Sequence, residues 1–238
     1  MPNTLEGKTA IVTGVSGDGQ VGQAVAKALA DDGAQLMICS RTQSKVEARA
    51  AELRDAGAKV ISQVGSLTDE DTVKRIVDET ISHYGQLDIV VNLAGGLTRY
   101  KPLVETTLED WRAEVDNNLL SAFLMSRTVF PHLQAGGGGV IVNFARAGQA
   151  QPNMVAYNCA KAGIEALTRT LALEGRDLGI RANAIAPGLV DTASNIAAMK
   201  PKDMKHWTKR EDIAETVAFL VSPHASGITG QTIAVTHI

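Results

Sequence analysis

The chain has 238 residues, 45% of them hydrophobic and 4% aromatic, with 23 Lys+Arg against 26 Asp+Glu for a net charge of -3. That composition gives ample apolar material for one large domain and offers no basic surface that would suit nucleic acid or an anionic membrane as partner. Only Cys39 and Cys159 are present, each inside an apolar segment, so neither a disulfide framework nor a zinc site is expected. The first eight residues lack a charged-then-apolar leader and no segment has the apolar length of a membrane span, so the expectation is a cytoplasmic protein.

Short apolar runs alternate with amphipathic stretches of helical length along the whole chain. Strands are expected at 9–13, 35–39, 59–64, 89–92, 140–144 and 181–185, with a last one at 230–238. Helices are expected at 20–32, 42–56, 69–84, 108–134, 155–178 and 210–221. The strands are continuously Val/Ile/Leu/Ala-rich rather than alternating, which suits a parallel sheet covered on both faces. The pattern is that of a single-domain, doubly wound, Rossmann-like α/β fold with about seven strands. Gly33, Gly57, Gly85 and Gly179 stand where helices should stop before strands.

The first strand leads into Thr13-Gly14-Val15-Ser16-Gly17-Asp18-Gly19-Gln20-Val21-Gly22. Glycines between a strand and a helix let backbone N–H groups approach a pyrophosphate at the positive end of the helix dipole. After the second strand stands Ser40-Arg41, where an NAD enzyme offers a carboxylate to the ribose hydroxyls. A neutral hydroxyl followed by a guanidinium suits a 2′-phosphate instead, which favours NADP(H).

Further along, Tyr157 and Lys161 are four residues apart on a helix and share a face, so the ammonium is expected near the phenol, favouring its ionised form. In the helix before them, Asn117 and Asn118 interrupt an apolar run. A buried amide needs partners, so one of the two should have a specific hydrogen-bonding task while the other faces solvent. Pro187-Gly188 after a strand reads as a turn, and its place at the carboxyl end of the sheet makes it a ligand loop. Trp111 reads as a packing residue.

Taken in order, Thr13-Gly14, Asn92-Leu93-Ala94-Gly95, Trp111 leading to Asn118, Tyr157-x-x-x-Lys161 and Asn183-Ala-Ile-Ala-Pro187-Gly188 with Val190 and Thr192 resemble the short-chain dehydrogenase/reductase family over nearly the whole chain. The resemblance implies an oxidoreductase that moves a hydride between NADP(H) and a small-molecule carbonyl or secondary alcohol. Tyr157 would be the proton donor or acceptor, Lys161 would touch the nicotinamide ribose and lower the tyrosine pKa, and Asn118 would hold a relay water. Cofactor contacts would come from Gly14, Ser16, Gly17, Val21, Ser40, Arg41, Ser66, Leu67, Asn92, Ala94, Gly95, Tyr157, Lys161, Pro187, Gly188, Val190 and Thr192. Family members are commonly tetramers or dimers joined through two long helices, here 108–134 and 155–178, so a homotetramer or homodimer is implied.

Four positions depart from the family pattern. The glycine loop is two residues longer than usual and its Gly14 to Gly22 spacing looks like that of enoyl reductases, although the tyrosine-lysine spacing does not. Ser66 stands where an aspartate usually meets the adenine, and Leu93 replaces an asparagine. Most seriously, Asn143-Phe144-Ala145-Arg146-Ala147-Gly148 has no serine where one should bond the substrate carbonyl. Ala145 is expected at that position, with a shifted register placing Arg146 there. Arg146, Gln149 or Asn153 could supply a replacement donor, and without one the chain would bind cofactor with little or no catalysis, as a non-catalytic subunit or a sensor. An enoyl-thioester reductase is the remaining alternative. The stretch 193–209 is expected to be a short substrate lid, with Lys200, Lys202, Lys205 and Lys209 on a solvated face.

Overall fold

The computed structural model describes residues 4–237. Seven parallel strands form one sheet: β1 (Thr9–Thr13), β2 (Gln35–Ser40), β3 (Val60–Val64), β4 (Ile89–Asn92), β5 (Gly139–Phe144), β6 (Ile180–Pro187) and β7 (Thr232–Val235), in the order β3-β2-β1-β4-β5-β6-β7. The direction of winding reverses between β1 and β4, which opens a crevice outside the carboxyl ends of these strands. β1 is central, with Ile11 beside Met37 of β2 on one edge and Val90 of β4 on the other.

Each central strand buries both faces, as its unbroken apolar sequence requires. Helices α1 (Val21–Asp31), α2 (Gln43–Asp55) and α8 (Arg210–Val221) cover one face, where Val12, Ile38, Val91, Val142 and Ile185 meet Val25, Leu29 and Val217. Helices α3 (Glu70–Tyr84), α5 (Ser121–Ala135) and α6 (Val155–Glu174) cover the other, where Ile11, Met37, Val90 and Ile141 meet Ile76, Met125 and Leu171. Ile11 and Val12 are neighbours in sequence, point to opposite faces, and are both fully buried. The four helix-ending glycines fall between helix and strand as expected; Gly85, at φ 80, closes α3 in the left-handed region.

The long helix expected over 108–134 is instead two helices, α4 (Leu108–Val115) and α5, joined by a π-helical turn at Asp116–Leu120. The side-chain amide of Asn118 donates to the Glu114 carbonyl at 2.9 Å, a side-chain bond inserted at the start of that turn. Helix α6 stops at Glu174, short of the expected Leu178, because Gly175 leads into a tight 3₁₀ turn over Arg176–Leu178. Within 193–209 a short helix, α7 (Ala193–Met199), is capped by Thr192. The last strand is shorter than the expected 230–238 and lies at the sheet edge, paired to β6 alone; Ile238 lies outside the described residues.

Candidate active site

The crevice is built by the connections at the carboxyl edge of the sheet. After β1, Gly14 turns the chain at φ 76, and an added Cβ there would sit 2.9 Å from the backbone of Ala94. At Gly22 a Cβ would sit 2.6 Å from the Gly14 carbonyl, so helix α1 packs directly on the strand end. Thr13 ties the same corner to β4, its hydroxyl accepting from the Leu93 and Ala94 N–H groups at 3.0 Å each. The N-cap of α1, Gln20, makes no side-chain capping bond. The first-turn N–H groups of α1 therefore face the crevice at the positive end of the helix dipole, an arrangement that fits a pyrophosphate.

The tip of this loop is fastened to the far side of the crevice. Ala193 N–H donates to the Gly19 carbonyl at 2.9 Å and the Ser194 hydroxyl to Gln20 Oε1 at 3.0 Å, so the start of α7 bridges over to the loop. A second fastening comes from Arg49 on α2, which pairs with Asp18 at 3.2 Å and with Glu52. At the end of β2, Ser40 is buried and Arg41 exposed, with no acidic side chain at either position. Leu67 is buried, and the Ser66 hydroxyl is bonded to Thr68. Asn92 does not reach the crevice with its amide, which donates to Asn143 Oδ1 at 2.9 Å and Ser126 Oγ at 3.0 Å in the interior.

On the other half of the crevice, α6 brings Tyr157 and Lys161 beneath the end of β5. Lys161 is buried, donates from Nζ to the Phe144 carbonyl at 2.7 Å, and lies 5.6 Å from the centre of the Tyr157 ring. Burial pushes its pKa from 10.5 down to about 8, with the negative charge of Glu114 opposing that fall. The phenol of Tyr157 is raised above its ordinary value of 10, first by burial; the Arg146 guanidinium draws it down and Glu114 pushes it up. Burial therefore sets the direction of the Tyr157 shift, while the Lys161 ammonium is turned to a backbone carbonyl. Arg146 is partly buried, donates to the Gln149 carbonyl at 2.7 Å, and is the cation whose charge acts on Tyr157. Ala145 is buried, with its N–H given to the Ile185 carbonyl at 2.8 Å.

Asn118 has the specific task expected of one of the two asparagines, and Asn117 is the more exposed. Asn118 is buried, accepts from Gly96 N–H at 2.9 Å and donates to the Gly96 carbonyl at 3.1 Å, which pins the 95–96 loop against the π-helical turn. Val190 and Thr192, after Pro187-Gly188, are occupied in starting α7: Asn195 donates to the Val190 carbonyl and to the Thr192 hydroxyl. Trp111 leaves 37% of its surface exposed and is not the packing residue expected of it within one chain.

This constellation has counterparts in known proteins. The family model described as Enoyl-(Acyl carrier protein) reductase matches residues 14–237. The chain is 32% identical to Glucose 1-dehydrogenase 2 of Bacillus subtilis, over 98% of this chain and 95% of that one. It is 37% identical to Short chain dehydrogenase/reductase astE of Aspergillus oryzae, over 98% and 94%. A solved structure of 7α-hydroxysteroid dehydrogenase with NADH and 7-oxo glycochenodeoxycholic acid superposes with a TM-score of 0.91, at 30% identity, covering 98% of this chain and 95% of that one. The chain belongs to the short-chain dehydrogenase/reductase family.

Its relatives are oxidoreductases, which supports an enzyme of that class, and its fold is Rossmann-like. Among the described residues, no helix is long and apolar enough to cross a membrane. One buried group escaped the sequence reading. Glu114 is 1% exposed and accepts from the N–H groups of Thr98 at 2.6 Å and Arg99 at 2.7 Å and from the Thr98 hydroxyl. Asp110, Glu114 and Asn118 recur every four residues and are all buried, a polar stripe visible in the sequence to a reader testing that face for burial.

Proposed function

We propose that the protein is an NADP(H)-dependent reductase or dehydrogenase acting on a carbonyl or secondary alcohol, with Tyr157 as the proton donor or acceptor. The observation that carries this reading is the pairing of Tyr157 with Lys161 on α6, the ammonium 5.6 Å from the ring centre, opposite a glycine loop whose helix N-terminus has no side-chain cap. When bound, the nicotinamide supplies or takes the hydride. The N–H groups around Gly14, Ser16, Gly17 and Val21 hold the pyrophosphate, and Ser40 with Arg41 receives the 2′-phosphate. Ser66, Leu67, Ala94 and Gly95 flank the adenosine half, with Asn92 bracing the strand beneath; Pro187, Gly188, Val190 and Thr192 flank the nicotinamide.

The Tyr157 hydroxyl gives a proton to the carbonyl oxygen in reduction and takes it back in oxidation. Lys161 holds the proton-transfer end of α6 to β5 through Phe144, and Asn118 orders the loop beside it. Ala145 stands where the family serine is expected, and Arg146 is the replacement donor: its charge reaches Tyr157 and its remaining N–H groups are available to a carbonyl oxygen or a carboxylate. The segment 193–209 acts as a short lid over an open site. Exposed Trp111 on α4, Phe123 on α5 and Leu173 on α6 support assembly of a homotetramer or homodimer through those helices.

The test has two stages: NADPH and NADH binding by fluorescence, then turnover on ketones, diketones and enoyl thioesters. Tighter NADPH binding with turnover of ketones is expected. Turnover confined to enoyl thioesters would move the assignment to an enoyl reductase. Binding without turnover, restored by Ala145→Ser, would assign a cofactor-binding protein without catalysis.

A further inference from the structure

Glu114 is a carboxylate in the interior with no cation in contact among the described residues. The basic side chains of its neighbourhood are committed elsewhere: Arg99 pairs with Asp110 at 3.0 Å, Lys101 with the other oxygen of Asp110 at 2.8 Å, and Lys161 with the Phe144 carbonyl. Its two oxygens differ. Oε1 receives two backbone N–H groups and a hydroxyl from Thr98 and Arg99, whereas Oε2 has one long contact, 3.4 Å from the amide of Asn118. An apolar residue would fill the same place at lower cost than a buried charge. The better-bonded oxygen staples the 98–99 segment to α4, and the other faces the Asn118 amide.

We propose that Glu114 is a positioning residue for the proton-transfer group: a buried carboxylate on α4, packed against α6, whose hydrogen bonds order Asn118 and the 96–99 segment and whose charge faces Tyr157 and Lys161. This rests on the reading of Tyr157 given above. The charged groups that face Tyr157 are Lys161 on its own helix, Arg146 on the β5–α6 connection and Glu114 on α4; Asp110, one turn before Glu114, is neutralised by Arg99 and Lys101. Glu114 acts in the same sense on both members of the pair, raising Tyr157 and Lys161 alike. It thereby counters the burial that would strip Lys161 of its charge near neutrality and keeps the phenol a proton donor at higher pH.

The test needs no substrate. The protein has three tyrosines, Tyr84, Tyr100 and Tyr157, so the near-ultraviolet phenolate titration of the protein minus that of Tyr157→Phe isolates Tyr157. In Glu114→Gln the Tyr157 midpoint should fall by about half a pH unit or more while the other two stay in place. Should Glu114→Gln fail to fold, Glu114→Leu, which removes the charge together with its need for partners, should give the same fall. Thr98→Val, which removes the hydroxyl from the staple and keeps both N–H bonds and the charge, should leave the midpoint where it is. An unmoved midpoint in a folded Glu114→Gln or Glu114→Leu protein overturns the proposal. Full turnover in Tyr157→Phe would instead overturn the proton-transfer reading of the site, and the titration would still decide the charge effect of Glu114.

Discussion

Two polar groups are buried a few residues apart in this protein, and they are built in opposite ways. Under the sheet, Asn92 donates to Asn143, Asn143 donates to Thr168 at 2.9 Å, and Thr168 donates to the Ile164 carbonyl. That chain is neutral and locks β4, β5 and α6 together. At the end of the same strands, Lys161, Tyr157, Glu114 and Arg146 place ionisable groups in or beside the interior without closing them into ion pairs. The phenol is raised and the amine lowered to about 8. Paired polar groups specify a structure; charged groups held apart in low dielectric are poised for proton traffic.

Substitutions in the two groups should separate these roles. The largest effect is expected from Arg146→Ala, which removes the proposed carbonyl donor and should lower turnover about a hundred- to a thousandfold with cofactor binding retained; Asn153→Ala should not do so. An Arg146→Ala protein of unchanged kcat would return the donor role to another group. Next, Lys161→Met should lower turnover by less than Arg146→Ala does, yet stabilise the fold by up to about 3 kcal/mol near neutrality, read by urea unfolding. The sign follows from a folded value of about 8 below the ordinary 10.5: the unfolded chain binds the extra proton, so the penalty is full below pH 8 and fades as pH rises to 10.5. The advantage of Lys161→Met should therefore disappear in the same window.

Asn143→Ala lies on the other side of the comparison. It leaves Asn92 without its closest amide partner and should destabilise by about 1 to 3 kcal/mol at every pH, with the Tyr157 titration unmoved. A pH-dependent loss would show that the two groups are not separate. The smallest effect is expected from Ser40→Asp, where a carboxylate at the end of β2 should shift preference from NADPH towards NADH about tenfold. No shift would remove Ser40 and Arg41 from the cofactor contacts.

Much of the fold was legible because its strands and helices differ in apolar period and are separated by glycines: β1, β4 and α8 have the expected bounds, and the seven-strand architecture is as expected. The break between α4 and α5 was hidden, since a π-helical turn keeps the helical period on both sides and is marked only by a side-chain bond, from Asn118 to the Glu114 carbonyl. In the site, spacing placed Tyr157 and Lys161 together but not the direction of the ammonium. That depends on the free carbonyl of Phe144, a tertiary feature. Glu114 was missed because a glutamate in an amphipathic helix reads as solvated until the loop that buries it is known.

The account turns on Tyr157. The most direct measurement is the single-turnover rate of carbonyl reduction by NADPH-saturated Tyr157→Phe protein against the unaltered protein. The account predicts a loss of about a hundredfold or more at unchanged NADPH affinity, because the ring and its packing remain and only the proton is gone. An equal rate in the two proteins would contradict it.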